Sequence, residues 1–130
     1  MEKRVSSSIY DTRRNLRFSA FSTRKTVLVS KDFIVELESE DDRYHVSILN
    51  PSTHEVELSF NVLKKHEELS FRTLQQHLWL PPRLMEKVLE QAEKFGVSVR
   101  EVYLGEVGRI LLSVKQAIEL HEKKQGGRER

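Results

Sequence analysis

A chain of 130 residues with 32% charged side chains and no cysteine has the length of one ordinary domain with tails, and it can form neither disulfides nor thiolate metal sites. No apolar run is long enough to cross a membrane, and the charged, Ser-rich start lacks the apolar stretch of a signal peptide, so a cytoplasmic protein with no membrane partner is expected. The formal charge of +2 conceals a partition: residues 1–25 hold seven basic side chains against Glu2 and Asp11, a balance of +5, whereas the other 105 residues hold 15 basic and 18 acidic groups, a balance of −3. An anionic partner is therefore to be sought first at residues 1–25.

Those residues sustain neither a helical nor a strand period and are rich in Ser and Arg, the composition of an arm that is disordered or orders on binding. Arg13, Arg14, Arg17, Arg24 and Lys25 interleave with Tyr10, Phe18 and Phe21. Cations neutralise phosphates, and aromatic rings stack on unpaired bases for roughly 1–3 kcal/mol each. Arg13, Arg14, Arg17, Phe18, Phe21, Arg24 and Lys25 are accordingly the candidate nucleic-acid-binding set. The competing reading is a solvated tail, or one whose phenylalanines enter the core.

From residue 26 a single domain is expected to run to 124, with a sheet over 26–63, helices over 64–124 and a short tail at 125–130. Thr26–Ser30 and Phe33–Glu38 read as strands. Tyr44, Val46 and Ile48 alternate with Arg43, His45 and Ser47, and Val56, Leu58, Phe60 and Val62 alternate with polar residues, so an antiparallel meander of three or four strands shows one apolar face. Asn50-Pro51-Ser52-Thr53 is a turn by side-chain chemistry. Lys64–Trp79 is ambiguous: its Leu, Gln, Glu and Lys content favours helix, while Thr73–Leu80 also fits a short strand.

Pro82 is placed to open a helix that ends near Phe95, with Leu84, Val88, Leu89 and Ala92 inward and Gly96 as a left-handed cap. Ser98 then starts the last helix as N-cap, with Glu101 as its capping-box partner. Nothing stops that helix before Gly126-Gly127, and 27 residues would reach about 40 Å. Leu104, Val107, Leu111, Val114 and Ile118 recur at 3,4,3,4 spacing, the seam of a coiled coil. Further apolar residues lie outside it at Tyr103, Ile110, Leu112, Ala117 and Leu120. The expectation is that one side covers the sheet while the seam, within residues 98–124, meets a second copy of the chain. The fold class is α+β, a small meander packed by about three helices.

Two resemblances bear on function. Leu80-Pro81-Pro82-Arg83-Leu84 through Gly96-Val97-Ser98-Val99-Arg100-Glu101-Val102, within residues 78–112, resembles the helical part of a ribbon-helix-helix repressor. That likeness implies that Gln75, His77 and Trp79 line a ribbon facing the major groove and that the backbone near Ser98 grips phosphate. Ala92, Gly96, Val97 and Val102 also fit the spacing of a helix-turn-helix. The plain alternative is a well-capped helical hairpin. The layout as a whole resembles the ThermoDBP class of archaeal single-stranded DNA-binding proteins, which implies strand binding in an apolar and basic cleft and association through the C-terminal helix. It carries no residue motif and assigns no site residues.

Five histidines lack metal-ligand spacing, Asp41-Asp42 lies in a turn without a partner base, and no phosphate-cradling glycine loop or nucleophile motif is present. No enzyme activity, metal, cofactor or small-molecule ligand is expected. The sequence points to a homodimeric protein that binds nucleic acid, DNA or RNA, with single-stranded DNA favoured. The alternatives are a ribbon-helix-helix-like regulator on duplex DNA, or a protein–protein interaction subunit of a larger assembly.

Overall fold

The computed structural model describes residues 24–129, with side chains to Gln125. Four strands form one antiparallel sheet in the order β1 (Lys25–Val29), β2 (Ile34–Ser39), β3 (Arg43–Leu49), β4 (Val56–Leu63). Three helices follow: α1 (Glu67–His77), entered through a 3-10 turn at Lys64–His66, α2 (Pro82–Phe95) and α3 (Val99–Glu129). The α+β class and the long last helix are as the sequence implies.

Alternation builds the sheet. The rows Thr26, Leu37, Val46, Phe60 and Leu28, Val35, Ile48, Leu58 lie across from one another and turn inward, where Val35, Leu37, Val46 and Ile48 are fully buried. The opposite face carries a polar patch, with Glu36, Ser47 and Ser59 in one row and His45 hydrogen-bonded to Asn61 and Ser59, beside the exposed Val27 and Val29 of β1. Between β3 and β4 the Asn50 carboxamide oxygen accepts from the amides of Ser52 (2.7 Å) and Thr53 (3.2 Å), as the turn chemistry required. His54 sits there at φ 64°, the left-handed region that a short turn exacts from a non-glycine residue.

The helices cover the inner face. α1 lies against β4, while α3 crosses β1 and β2 and packs on α1 and α2. The ambiguous stretch before Leu78 is helical, as its propensity favours, and Phe71 and Leu78 are buried from it. Gln75 and His77 are thus on a helix and Trp79 in the following linker, so the reading ribbon that the ribbon-helix-helix likeness implies does not form at these residues. Gly96 caps α2 at φ 65°, and the Ser98 hydroxyl accepts from the Glu101 amide at 3.0 Å. Leu89, expected inward, is exposed. The buried stripe of α2 is Leu84, Val88 and Ala92 at i, i+4, i+8, and Leu89 stands one residue, about 100°, around the helix from it. α3 also runs through Gly126-Gly127, which raise the cost of a helix without forbidding it.

The largest correction concerns the seam. Val107, Leu111, Val114 and Ile118 are 1%, 6%, 0% and 3% exposed inside a single chain, in the same core cluster as Val35, Leu37 and Ile48. Leu104 alone of the five is open, at 39%. Ile110 and Ala117, also fully buried, stand beside the 3,4,3,4 positions and widen the stripe to three residues in seven. That is the width of a helix facing its own domain core, broader than a two-position coiled-coil seam.

Candidate functional site

α3 links two polar ends of the molecule. At one, the β1–β2 turn, β4, α2 and α3 converge on six charges. Arg83 donates twice to the Glu57 carboxylate, at 2.9 and 2.7 Å, and once to the Asp32 carbonyl. Lys87 donates to the Asp32 carboxylate at 2.7 Å, and Arg109 bridges Asp32 (3.0 Å) and Glu106 (2.9 Å). Three acids meet three bases. The Lys87 hydrogen bond holds the Asp32 carboxyl below its ordinary range, and the Arg83 bond does so for Glu57. The Glu106 side chain is buried, and its Oε2 has no hydrogen-bond partner, with Lys87 Nζ 3.8 Å away. Arg109 also lies over the Phe33 ring. A cluster whose charges balance has little net charge left for an outside ligand, although one Glu106 oxygen lacks a hydrogen bond.

The other end joins the start of β1, the β4–α1 junction and the C-terminal half of α3. His121, buried, meets the Thr26 hydroxyl through Nδ1 at 3.2 Å and packs edge-on to the Tyr44 ring. The Tyr44 hydroxyl donates to Glu122 at 3.1 Å. Burial first, then the charges of Lys124 and Lys64, pushes the His121 pKa down, so both positive charges act on one imidazole. Burial and the Glu122 carboxylate push the Tyr44 pKa up. Lys64 also sits 5.1 Å from the centre of the Tyr44 ring. Among the described residues, Lys64, Lys65, Lys123 and Lys124 form no ion pair.

Between α1 and α3 runs an open groove of about 720 Å³. Phe71, Leu111 and Ile118 form its apolar floor, and Leu112 on its wall is 57% exposed. Its lining carries Glu67, Glu68, Glu119 and Glu122 together with Arg72 and Lys115, the latter 5.1 Å from the centre of the Phe71 ring. The Glu67 carboxyl is raised by burial and by the charge of Glu122.

Of the candidate nucleic-acid set, Arg13, Arg14, Arg17, Phe18 and Phe21 lie outside the described residues. Lys25 is the first residue of β1 and sits 3.9 Å from Glu36, and the Arg24 carbonyl accepts from the Ser39 amide. These two are part of the sheet's end rather than of a separate arm. Sequence reasoning missed that Lys64, of the pair Lys64-Lys65, and Lys124, of the pair Lys123-Lys124, both bear on His121. Each pair is visible as a basic dipeptide, but their approach depends on the crossing of α3 over the sheet. Trp79 stands 83% exposed between buried Leu78 and Leu80, on the linker near the N-terminal half of α3, where the Tyr103 hydroxyl donates to the Leu78 carbonyl.

No protein-family model matches this chain, and neither a curated protein nor a solved structure does. Among the described residues, no helix is long and apolar enough to cross a membrane, and no group of three His, Asp or Glu could hold a metal ion.

Proposed function

We propose that this protein binds nucleic acid, single strands in preference to duplex, through the basic N-terminal residues and the lysine-bearing end of the body from which they depart. The observation that carries the reading is the meeting of two positive segments. Residues 1–25 hold a net +5; Lys25 opens β1, the next residue, Thr26, meets His121, and the charges of Lys64 and Lys124 both act on that imidazole. The body outside this end is acidic, and its six-charge cluster is self-neutralising, so phosphate contacts gather at one place. Phe18 and Phe21 supply ring faces for bases, which are open only in unpaired strands. The buried seam of α3 gives no reason to require a second copy.

Fluorescence anisotropy of the full chain on labelled single-stranded and duplex oligonucleotides across a salt series tests the proposal. Affinity should fall linearly with salt on logarithmic axes, and Lys64→Gln and Lys124→Gln should each lower the slope by about one. Phe18→Ala with Phe21→Ala should weaken single-strand binding more than duplex binding. A salt-independent affinity, or none at low salt, overturns the reading. Exposed Trp79 favours a second reading, a protein-docking subunit. That reading gains if Trp79→Ala abolishes capture of a protein partner while oligonucleotides are ignored throughout.

A further inference from the structure

The sheet ends in two unequal edges. β4 is interrupted by a register shift opposite Ile48 and Leu49, the kind of irregularity that keeps an edge from pairing further. β1 has no such device. Among the described residues it is bonded on one side only, to β2, and its sequence Lys-Thr-Val-Leu-Val holds one charge and neither proline nor glycine. The Ser39 amide donates to the Arg24 carbonyl and the Ser30 amide to the Phe33 carbonyl, so the even-numbered residues of β1 turn their backbone groups toward β2. The amides and carbonyls of Lys25, Val27 and Val29 therefore point out of the sheet. Their side chains share its outer face, where Val27 is 47% and Val29 69% exposed.

We propose that the β1 edges of two copies of this chain pair antiparallel about a two-fold axis at Val27, so that one sheet runs through both. An edge that meets itself must be complementary to itself. With Val27 opposite the partner's Val27, Lys25 falls opposite the partner's Val29, and Val29 opposite the partner's Lys25. Each of these pairs exchanges two backbone hydrogen bonds, which satisfies every outward amide and carbonyl of the three residues. On the outer face the valines meet at the axis. Each Lys25 stays beside its own Glu36, 3.9 Å away, and lays its aliphatic stem along the partner's Val29. Glu36 and Glu38 stand opposite Val27 and Lys25 within their own chain, so no like charges face each other across the new ladder.

The helix layer agrees with the same axis. α3 packs on both β1 and β2, which sets it about 5 Å from the two-fold, one strand spacing. The two copies of α3 then lie about 10 Å apart, the distance at which helices pack. His121 meets Thr26 and Arg109 meets Asp32, so α3 runs antiparallel to β1 and Val27 stands level with the turn that holds Leu120. Leu120 is 40% exposed. It lies about 100° around the helix from Glu119, on the flank away from the α1–α3 groove that Leu112, Lys115 and Glu119 line. The two Leu120 side chains thus meet beneath the two Val27 side chains, on a face separate from the buried 3,4,3,4 stripe. A five-residue edge alone is short of the roughly 800 Å² per partner of a standard interface; the helix flank gives it a second layer. The axis also joins two lysine-bearing ends on one surface, so a nucleic-acid strand that reaches both meets twice the cations. That consequence, though not the pairing, rests on the function proposed above.

Sedimentation of the full chain from low to high micromolar concentration, with amide hydrogen exchange, tests the pairing without nucleic acid. Wild type should sediment as a dimer, with slow exchange at the amides of Val27 and Val29, which β2 does not bind. Val27→Pro removes an outward amide and no β1–β2 bond, so it should stay folded by circular dichroism and sediment as a monomer. Leu120→Glu, at an exposed position of the other layer, should also weaken the dimer and decides the matter if Val27→Pro loses its fold. A wild-type monomer at high micromolar concentration overturns the proposal, as does a dimer that survives both variants or exchanges Val27 and Val29 freely. Protection of these amides in a monomer would place a segment of the same chain on the edge and overturn the second copy. For the consequence, wild type should favour a long over a short single-stranded oligonucleotide several-fold more than Leu120→Glu does; equal preference overturns it. If the dimer behaves as expected but no oligonucleotide binds, the pairing stands and the nucleic-acid reading falls.

Discussion

The two ends of α3 use charge in opposite ways. At the Asp32 end, three carboxylates and three basic groups are arranged so that nearly every donor finds an acceptor on another element. Arg83 reaches from α2 to β4 and the β1–β2 turn, and Arg109 from α3 to Asp32. At the His121 end, the polar atoms that touch are few and largely uncharged, while Lys64, Lys65 and Lys124 form no ion pair among the described residues. The first arrangement ties elements together and is indifferent to ligands. The second keeps its cations solvated, where they can act on a partner. A count of charges along the chain treats both ends alike; what separates them is whether opposite charges are brought within 4 Å.

The largest effect should come from the element both ends share. Leu111→Glu places a carboxylate in the core beside Ile110 and Val114, an uncompensated burial that should remove several kcal/mol of stability, about 4 or more, and unfold both ends together. Leu112→Glu, one residue around the helix on an exposed wall, should leave the melting temperature nearly unchanged. Thermal melts followed by circular dichroism check the pair. A folded Leu111→Glu monomer derived from a wild-type dimer would restore the seam to an intermolecular role.

That contrast also marks what was legible in the residues. Strand alternation, the Asn50 turn, the Pro82 start, the Gly96 cap and the Ser98 cap are local signals, and each appears in the structure at or within a residue of its expected place. The partner of α3 was not local. Leu104, Val107, Leu111, Val114 and Ile118 have the same spacing whether they face a second helix or a sheet. Only the flanking Ile110 and Ala117 betrayed the wider stripe of a core helix. The candidate site was half legible for the same reason. The basic run at residues 13–25 is contiguous in sequence, whereas Lys64 and Lys124 are 60 residues apart and are joined only by the crossing of α3 over the sheet.

The next effects compare the ends directly. Asp32→Ala leaves Lys87 and Arg109 without their shared acceptor and should cost about 1–3 kcal/mol, discounted toward the lower figure because Arg109 is half-exposed. Tyr44→Phe at the other end removes one hydrogen bond to Glu122 and should cost about 1 kcal/mol or less. Urea titrations of the two variants rank them. A larger loss at Tyr44 would show the His121 end to be the tighter of the two and would undo the comparison.

Proton linkage separates the ends by pH. His121 faces Thr26, Tyr44, Lys64, Lys124 and Glu122, and its pKa is pushed down. The unfolded chain therefore takes up a proton as pH falls below about 6.5 while the folded chain does not. Stability should decline from that point until the folded imidazole titrates, then level off. Asp32 and Glu57 are held low by Lys87 and Arg83, so their contribution is present above the ordinary carboxylate range and is lost only as pH falls well below about 4. Glu67, held high, works against them there, because its contribution is lost as pH rises through the carboxylate range. Melts of wild type and His121→Gln between neutral and mildly acid pH should differ in slope, and parallel curves would take His121 out of the pH response.

The smallest effect lies midway between the ends. Gly105 and Gly108 sit in α3 with nothing within 4 Å of where a Cβ would stand, so neither is demanded by a close packing contact. Each carries the backbone entropy cost of glycine in a helix. Gly105→Ala should therefore stabilise the fold by about 0.5–1 kcal/mol, at a position outside both polar clusters. Gly108→Ala should stabilise it equally, yet it adds a methyl to the wall of the α1–α3 groove. Gly108→Ala alone should therefore shift the methyl resonances of Leu112 on that wall, while Gly105→Ala leaves them as in wild type. A loss of stability at either glycine would mean that α3 needs its local flexibility, and that the groove rather than the core sets the sequence at this point of the helix.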